Sequence, residues 1–416
     1  MSTSPLRILY VTSIDISKPN GPGVNEREFL VAAARSKDAV VHASVARTTQ
    51  PMEERIACPI DWLPRASNAN PIAYLRHQWA IATSGRRLLR DAERFDLAVI
   101  RLGYLPIGLW FALQRSPVPY AVKTAGGFPE ASVKVQKGVR RVVMSLLKGL
   151  NAACERAILR GAVVVDVCTP GLAEGVVRNF GVPRERVTVV DNSTNVERFK
   201  PGDRAEAKRA IGLGRFDALV GYIGGRPWER GAEQLIRVVA ALRQRHPTLG
   251  VLIVGGGAEK PAMHELADEL GVADRVHFAG VVPYDRVPAY AAALDIGVAF
   301  DRTDTSEKGN ANQKVRQYLA CGTPVISDRA GNEFLDQQAI GLRVASGNDC
   351  EEIASAVERL LGMPEEERVA MERRARDFAV SHLSTDVTFR ARLNAWRRSL
   401  LKSDSTRPVH AAAGAP

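Results

Sequence analysis

Two arginines four positions apart, Arg226 and Arg230, stand in the run Gly-Tyr-Ile-Gly-Gly-Arg-Pro-Trp-Glu-Arg-Gly (221–231). Ala218–Ile223 before them reads as a buried strand. Leu235, Val238, Val239 and Leu242 after them recur as one apolar helix face. A helix that starts after a glycine-containing loop already favours an anion through its free N–H groups and its dipole. Two guanidiniums beside it suit a diphosphate, since each gives paired charge-assisted bonds to phosphate oxygens. Metal chemistry is not indicated: the chain has no Asp-x-Asp, and Asp301-Arg302-Thr303-Asp304 has the wrong spacing and a basic residue inside it. No Ser/His/Asp or Cys/His constellation can be read out, and His42 and His77 have no evident partner.

The elements that must position this loop alternate. Strands are expected over 218–223, 249–257, 275–279, 295–300 and 325–327, with helices between them. One helix has Pro261 in its first turn and Gly271 as its stop. Another lies around 285–292, and a third ends at Cys321-Gly322-Thr323-Pro324. This pattern predicts a parallel α/β sheet with ligands at the carboxyl ends of its strands. The amino-terminal half alternates likewise. Strands are expected over 7–13, 95–100, 118–123, 162–167 and 186–190, with a turn at Asn20-Gly21-Pro22-Gly23, a helix from about Asn25, and one long helix or two over 133–159.

Four pieces in this order resemble the carboxyl-terminal domain of retaining glycosyltransferases of the "group 1" type. They are Gly-Gly-Arg-x3-Arg-Gly, Leu-Ile-Val-Gly-Gly-Gly, Arg-Val-x-Phe-x-Gly-Val-Val and Tyr-Leu-Ala-Cys-Gly-Thr-Pro-Val-Ile-Ser. The resemblance implies a GT-B fold: α/β, with two Rossmann-like parallel-sheet domains facing each other across a cleft. It divides the chain into an acceptor-binding domain (1–195), a nucleotide-sugar-binding domain (196–384), a helix returning to the first domain (385–402) and a disordered tail (403–416). Asp191–Pro201 resembles the family's inter-domain segment, with Ser193 and Asn195 replacing a Gly and an Asp.

On the same ground, the donor would be held by Gly21 and Gly23 of an amino-terminal glycine-rich loop. Gly224, Gly225, Arg226, Arg230, Gly255, Val282, Lys314, Gln317 and Glu333 would hold it from the second domain. Two departures from the family pattern stand out. The glutamate pair that many members carry is replaced by Gly309 and Gln317; Gln317 can still hydrogen-bond a ribose, without charge. Where the family often has a histidine near the sugar, the chain has Lys123, which would hold a phosphate or substrate carboxylate or be solvated. Arg226, Arg230 and Lys123 are therefore the catalytic candidates, in an enzyme needing neither cofactor nor metal. A same-face mechanism, with the leaving diphosphate helping to take the acceptor proton, fits the family. The rivals are a nucleotide-sugar epimerase of the same fold and a non-catalytic GT-B binding or regulatory protein.

Composition bounds these readings. The chain of 416 residues, 45% hydrophobic, has the length of two to three domains. Its formal charge of +11 is spread as well as clustered, and no zinc-finger, RNA-binding-sheet or homeodomain pattern supports a nucleic-acid partner. The start, Met-Ser-Thr-Ser-Pro-Leu-Arg, lacks a signal-peptide core, no run is apolar enough to span a membrane, and five scattered cysteines fit reduced thiols. A cytoplasmic location is expected. Cys154, Cys168 and Cys321 read as buried small hydrophobes. Residues 131–161 hold seven basic residues against one acid, Glu155, interleaved with aliphatics at helical spacing. That pattern predicts a peripheral position on the inner face of an anionic membrane and a glycan or lipid-linked acceptor.

Overall fold

The computed structural model of the chain describes residues 4–18, 20–49, 51–52, 55–65, 71–85, 90, 93–103, 106–114, 116–124, 148–225, 227–256, 260–300 and 312–406. It divides into two compact units. One takes the chain up to Ile16, Leu30–Val190 and Phe389 onward; the other takes Ser17–Phe29 and Asp191–Thr388.

In the first unit the described strands are β1 (Leu6–Thr12), β2 (Ala39–Ala46), β3 (Ile60–Leu63), β4 (Leu97–Arg101), β5 (Tyr120–Thr124), β6 (Val164–Val167) and β7 (Val187–Val189). They form a parallel sheet in the order β3-β2-β1-β4-β5-β6-β7. β4 and β6 are buried along their whole length, as expected of strands covered on both faces. The helix Pro170–Phe180 shows how local sequence sets the boundaries. The Thr169 side chain accepts from the Leu172 N–H, Pro170 starts the first turn, and Gly181 ends the helix at φ 66°.

The second unit has β8 (Ala218–Ile223), β9 (Leu249–Val254), β10 (Val276–Gly280), β11 (Ile296–Ala299), β12 (Val325–Ser327) and β13 (Gly341–Arg343). Their order is β10-β9-β8-β11-β12-β13, again all parallel. Alternate residues feed two cores. Val220, Tyr222, Val251 and Ile253 join the helix face of Leu235, Val238, Val239 and Leu242. Leu219, Ile223, Leu252 and Val254 join Val315, Tyr318 and Leu319 of the helix Gln313–Ala320. In both sheets strand order reverses beside the first strand, so the carboxyl ends of β1/β4 and β8/β11 are the topological switch points where such sheets bind ligands.

Three expectations change. The amino-terminal helix spans Gly21–Arg35, so Gly21 and Gly23 lie in its first turn and not in a free loop. Asn20 begins it by accepting the Gly23 N–H through Oδ1 at 2.9 Å. The last helix, Thr385–Thr406, runs into the expected tail. The chain passes from the first unit into the second after Val190, not 195, and the segment that follows is held within the second. Arg316 makes a two-pronged ion pair with Asp191 (3.0 and 2.6 Å), and Gln313 Nε2 donates to the Ser193 carbonyl. Of the helix expected over 133–159, residues 133–147 lie outside the described residues; a helix is present at Lys148–Gly161.

Candidate functional site

The loop after β8 is shaped by close backbone approach. Gly224 N–H donates to the Val254 carbonyl at 2.9 Å and Gly255 N–H to the Gly280 carbonyl at 2.8 Å. Gly255 has φ 137°, and a Cβ there would fall 1.9 Å from the Gly224 oxygen. No side chain fits, so the carboxyl ends of β8 and β9 present bare backbone. Pro227 then leads a single 3-10 turn, Trp228–Arg230, and Gly231 at φ 69° passes the chain into the helix Glu233–Leu242.

Buried Tyr222 organises the cations around this loop. Its hydroxyl donates to the Gly225 carbonyl at 2.8 Å. Lys314 Nζ lies 3.8 Å from the centre of its ring, a cation–π contact. Arg329, buried just past β12, has its pKa lowered to about 9, first by burial and then by the positive charge of Arg230, while Tyr222 opposes the shift. Lys314, Arg230 and Arg329 thus converge from three segments on the carboxyl ends of β8 and β12. Such a cluster can neutralise a diphosphate.

The expected donor residues fall into groups. Gly224, Gly225, Gly255 and Lys314 come together around Tyr222, while Arg230 acts on Arg329. Val282 follows the end of β10 and packs on the core below. Gln317, one turn beyond Lys314, is buried. Glu333 turns both carboxylate oxygens to the Gly331 N–H at 2.9 Å, bracing its own loop. Gly21 and Gly23 begin their helix in the same unit; Gly21 has open space around it, leaving no steric reason for a glycine there. Arg226 and Gly309 lie outside the described residues. Arg329 went unread in the sequence. Its signal was position, two residues after the strand that ends at Ser327.

Lys123 is elsewhere, at the end of β5 in the first unit. The register places it between Arg101 of β4 and Asp166 of β6. It is buried, which removes the solvated reading. Arg392 Nε donates to Asp166 Oδ2 at 2.7 Å. Burial raises the Asp166 pKa, against the pull of Arg392, Lys123 and Arg101. Lys123 therefore belongs to a buried charge cluster.

Both histidines, for which the sequence shows no partner and which read as structural or exposed, have partners in the fold. His77 is gripped by the Pro64 carbonyl at Nδ1 (2.7 Å) and the Ser13 hydroxyl at Nε2 (2.8 Å). Burial lowers its pKa. His42 meets Asp61 at 2.8 Å and Arg94 at 3.1 Å. Cys154, Cys168 and Cys321 are buried, and neither they nor Cys58 and Cys350 form a disulfide. Among the described residues no group of three or more His, Cys, Asp or Glu side chains is placed to hold a metal ion, and no helix is long and apolar enough to cross a membrane.

Two Rossmann-like parallel sheets in one chain match the GT-B fold of glycosyltransferase structures. Residues 217–363 match the family model described as "Glycosyl transferases group 1", and residues 20–193 match the "Glycosyl transferase 4-like domain". The chain belongs to the group 1 glycosyltransferase family. It is 33% identical over 218 residues to the D-inositol 3-phosphate glycosyltransferase of Nocardia farcinica, covering 50% of this chain and 47% of that protein. It is 32% identical over 203 residues to D-inositol 3-phosphate glycosyltransferase 2 of Catenulispora acidiphila, 46% of each. The chain spans about half the length of the curated relatives it matches. Among solved structures it is similar to the sucrose-phosphate synthase of Thermosynechococcus elongatus, with a TM-score of 0.73, 19% identity, and 96% and 100% of the two chains covered. It is also similar to Anabaena HepE in complex with UDP and glucose, with a TM-score of 0.67, 17% identity, and 96% and 100% covered.

Proposed function

We propose that the chain is a cytoplasmic, metal-independent, retaining glycosyltransferase. It moves a sugar from a nucleoside diphosphate sugar to a glycan or lipid-linked acceptor at an anionic membrane face, in cell-surface polysaccharide or glycolipid synthesis. The meeting of Lys314 and Arg329 at Tyr222, with Arg230 close enough to Arg329 to act on its charge, at the switch point of a parallel sheet, carries this reading. A cluster of fixed cations there stabilises the charge that builds on a departing diphosphate, in the place other enzymes give to Mg²⁺. Arg226 acts beside Arg230, Gln317 takes the donor ribose, and Lys123 serves the acceptor half. The likeness to HepE, solved with UDP and glucose, adds support for the donor class. The basic, aliphatic composition of residues 131–161 supports the membrane-borne acceptor.

The test is a thermal-shift panel of nucleoside diphosphates, followed by transfer and donor-hydrolysis assays with the sugars of the best binder. Turnover is expected and should persist in excess EDTA. Tight binding with neither transfer nor hydrolysis would favour a non-catalytic binding protein. Full loss in EDTA, restored by Mg²⁺ or Mn²⁺, would overturn metal independence.

A further inference from the structure

The helix Pro71–Ala80 is oriented against the usual rule. Its inward side carries His77, only 1% exposed, while Ile72, Leu75 and Trp79 are 78%, 64% and 73% exposed. Their i, i+3, i+7 spacing sets the three on one stripe. Arg76, also exposed, lies on the same stripe. The helix Ile107–Leu113 packs beside it. There Gly108 N–H donates to Gln78 Oε1 at 2.8 Å, and a Cβ on Gly108 would meet the Gln78 backbone. This second helix adds Phe111, 52% exposed. Large apolar side chains clustered outward mark an interaction surface.

Charge selects the partner. The two helices lie in residues 62–90 and 97–129, and neither run contains an Asp or Glu. The first run carries Arg65, Arg76, Arg86, Arg87 and Arg90. A second copy docked by a two-fold axis would bring Arg76 against the same positive stripe. An anionic bilayer instead satisfies both features: Trp, Leu, Ile and Phe enter the boundary between headgroups and acyl chains, and arginines pair with lipid phosphates. We propose that the outer face of Pro71–Ala80, with Phe111 beside it, is a docking surface for an anionic lipid bilayer. It is distinct from residues 131–161 and deepens the reading of a membrane-borne acceptor, on which its use in the cell rests.

The test is co-sedimentation of the full chain with vesicles of phosphatidylglycerol and phosphatidylcholine, or of phosphatidylcholine alone. Binding is expected to the anionic vesicles only, and to weaken with salt. Leu75→Ser with Trp79→Ser should lower vesicle affinity at least about tenfold, the scale of two withdrawn apolar side chains. Arg76→Glu should weaken it too. All three positions are exposed, so melting temperature and nucleoside diphosphate affinity should not change. Brominated acyl chains should quench the wild-type tryptophan emission more than that of Trp79→Phe. Absent binding to anionic vesicles, or binding unchanged in the Leu75/Trp79 variant, would overturn the proposal. So would a dimer in light scattering that the same variant dissolves. Lost vesicle binding with diphosphate binding intact would sink this surface alone; absent transfer with vesicle binding intact would sink the transferase reading alone.

Discussion

Arg230 bears on Arg329: burial, and then the Arg230 charge, bring the Arg329 pKa down to about 9. Two cations held this way repel each other until an anion with more than one charge joins them. A bound diphosphate removes that repulsion and favours protonated Arg329. Nucleoside diphosphate affinity should therefore be level below about pH 9 and fall above it, as the free protein loses the proton that the complex needs. Calorimetric titrations between neutral pH and that range should show the fall in the wild type. In Arg329→Gln the curve should be weaker throughout and lack this component. Parallel curves for the two proteins would remove Arg329 from the site.

The two loop arginines give a simpler expectation. Arg230→Ala or Arg226→Ala should lower nucleoside diphosphate affinity about tenfold or more, since a hydrogen bond to a charged group is worth roughly 1.5–3 kcal/mol. Equilibrium titration is the measurement, and unchanged affinity in both variants would dismiss the diphosphate clamp.

Gln317 stands one turn from Lys314 on a helix whose start is tied down by Arg316 and Gln313. Gln317→Ala should raise the donor KM, and Gln317→Glu should leave a working ribose contact. A donor KM untouched by the alanine would mean that the side chain serves only packing.

Glu155 offers a test of stability alone. Burial raises its pKa from 4.5 to about 7, against a hydrogen bond from Asn151, and among the described residues Oε2 has no hydrogen-bond partner. A folded-state pKa above the unfolded one means that protonation favours the fold. That contribution is complete below the unfolded pKa and is lost as pH rises through about 7. Glu155→Gln should leave stability little changed in acid and raise it above neutral pH, by on the order of 2–3 kcal/mol. Urea melts at acid and alkaline pH would show it; equal stability of the two proteins in alkali would count against the buried-acid account.

The sequence made the β8 loop readable because everything that defines it is local: a buried strand, two glycines, two arginines and an apolar helix face. Lys314 and Gln317 were readable through the motif ending at Cys321-Gly322. Arg329 was not. Its approach to Arg230 depends on β12 lying two strands from β8, across β11, an order that no local pattern carries. His77 was missed for the same reason, since its partners Ser13 and Pro64 come from separate strand ends. The helix start at Gly21 was hidden because two glycines and a proline read as a turn, whereas Asn20 caps that turn into a helix. Lys123 was placed on its strand, but its burial beside Asp166 follows from register.

The ion pair between Asp166 and Arg392 also bears on the order in which the molecule can be built. Synthesis runs from the amino terminus, and domains made early tend to fold early. Here the first sheet buries Asp166 at its sixth strand, and the arginine that answers that charge is separated from it by the whole second sheet. Fully buried Trp396 belongs to the same late segment. The unit that leaves the ribosome first is therefore completed last. Until the last helix is made, the first unit lacks the arginine that answers Asp166 and the tryptophan that fills its core.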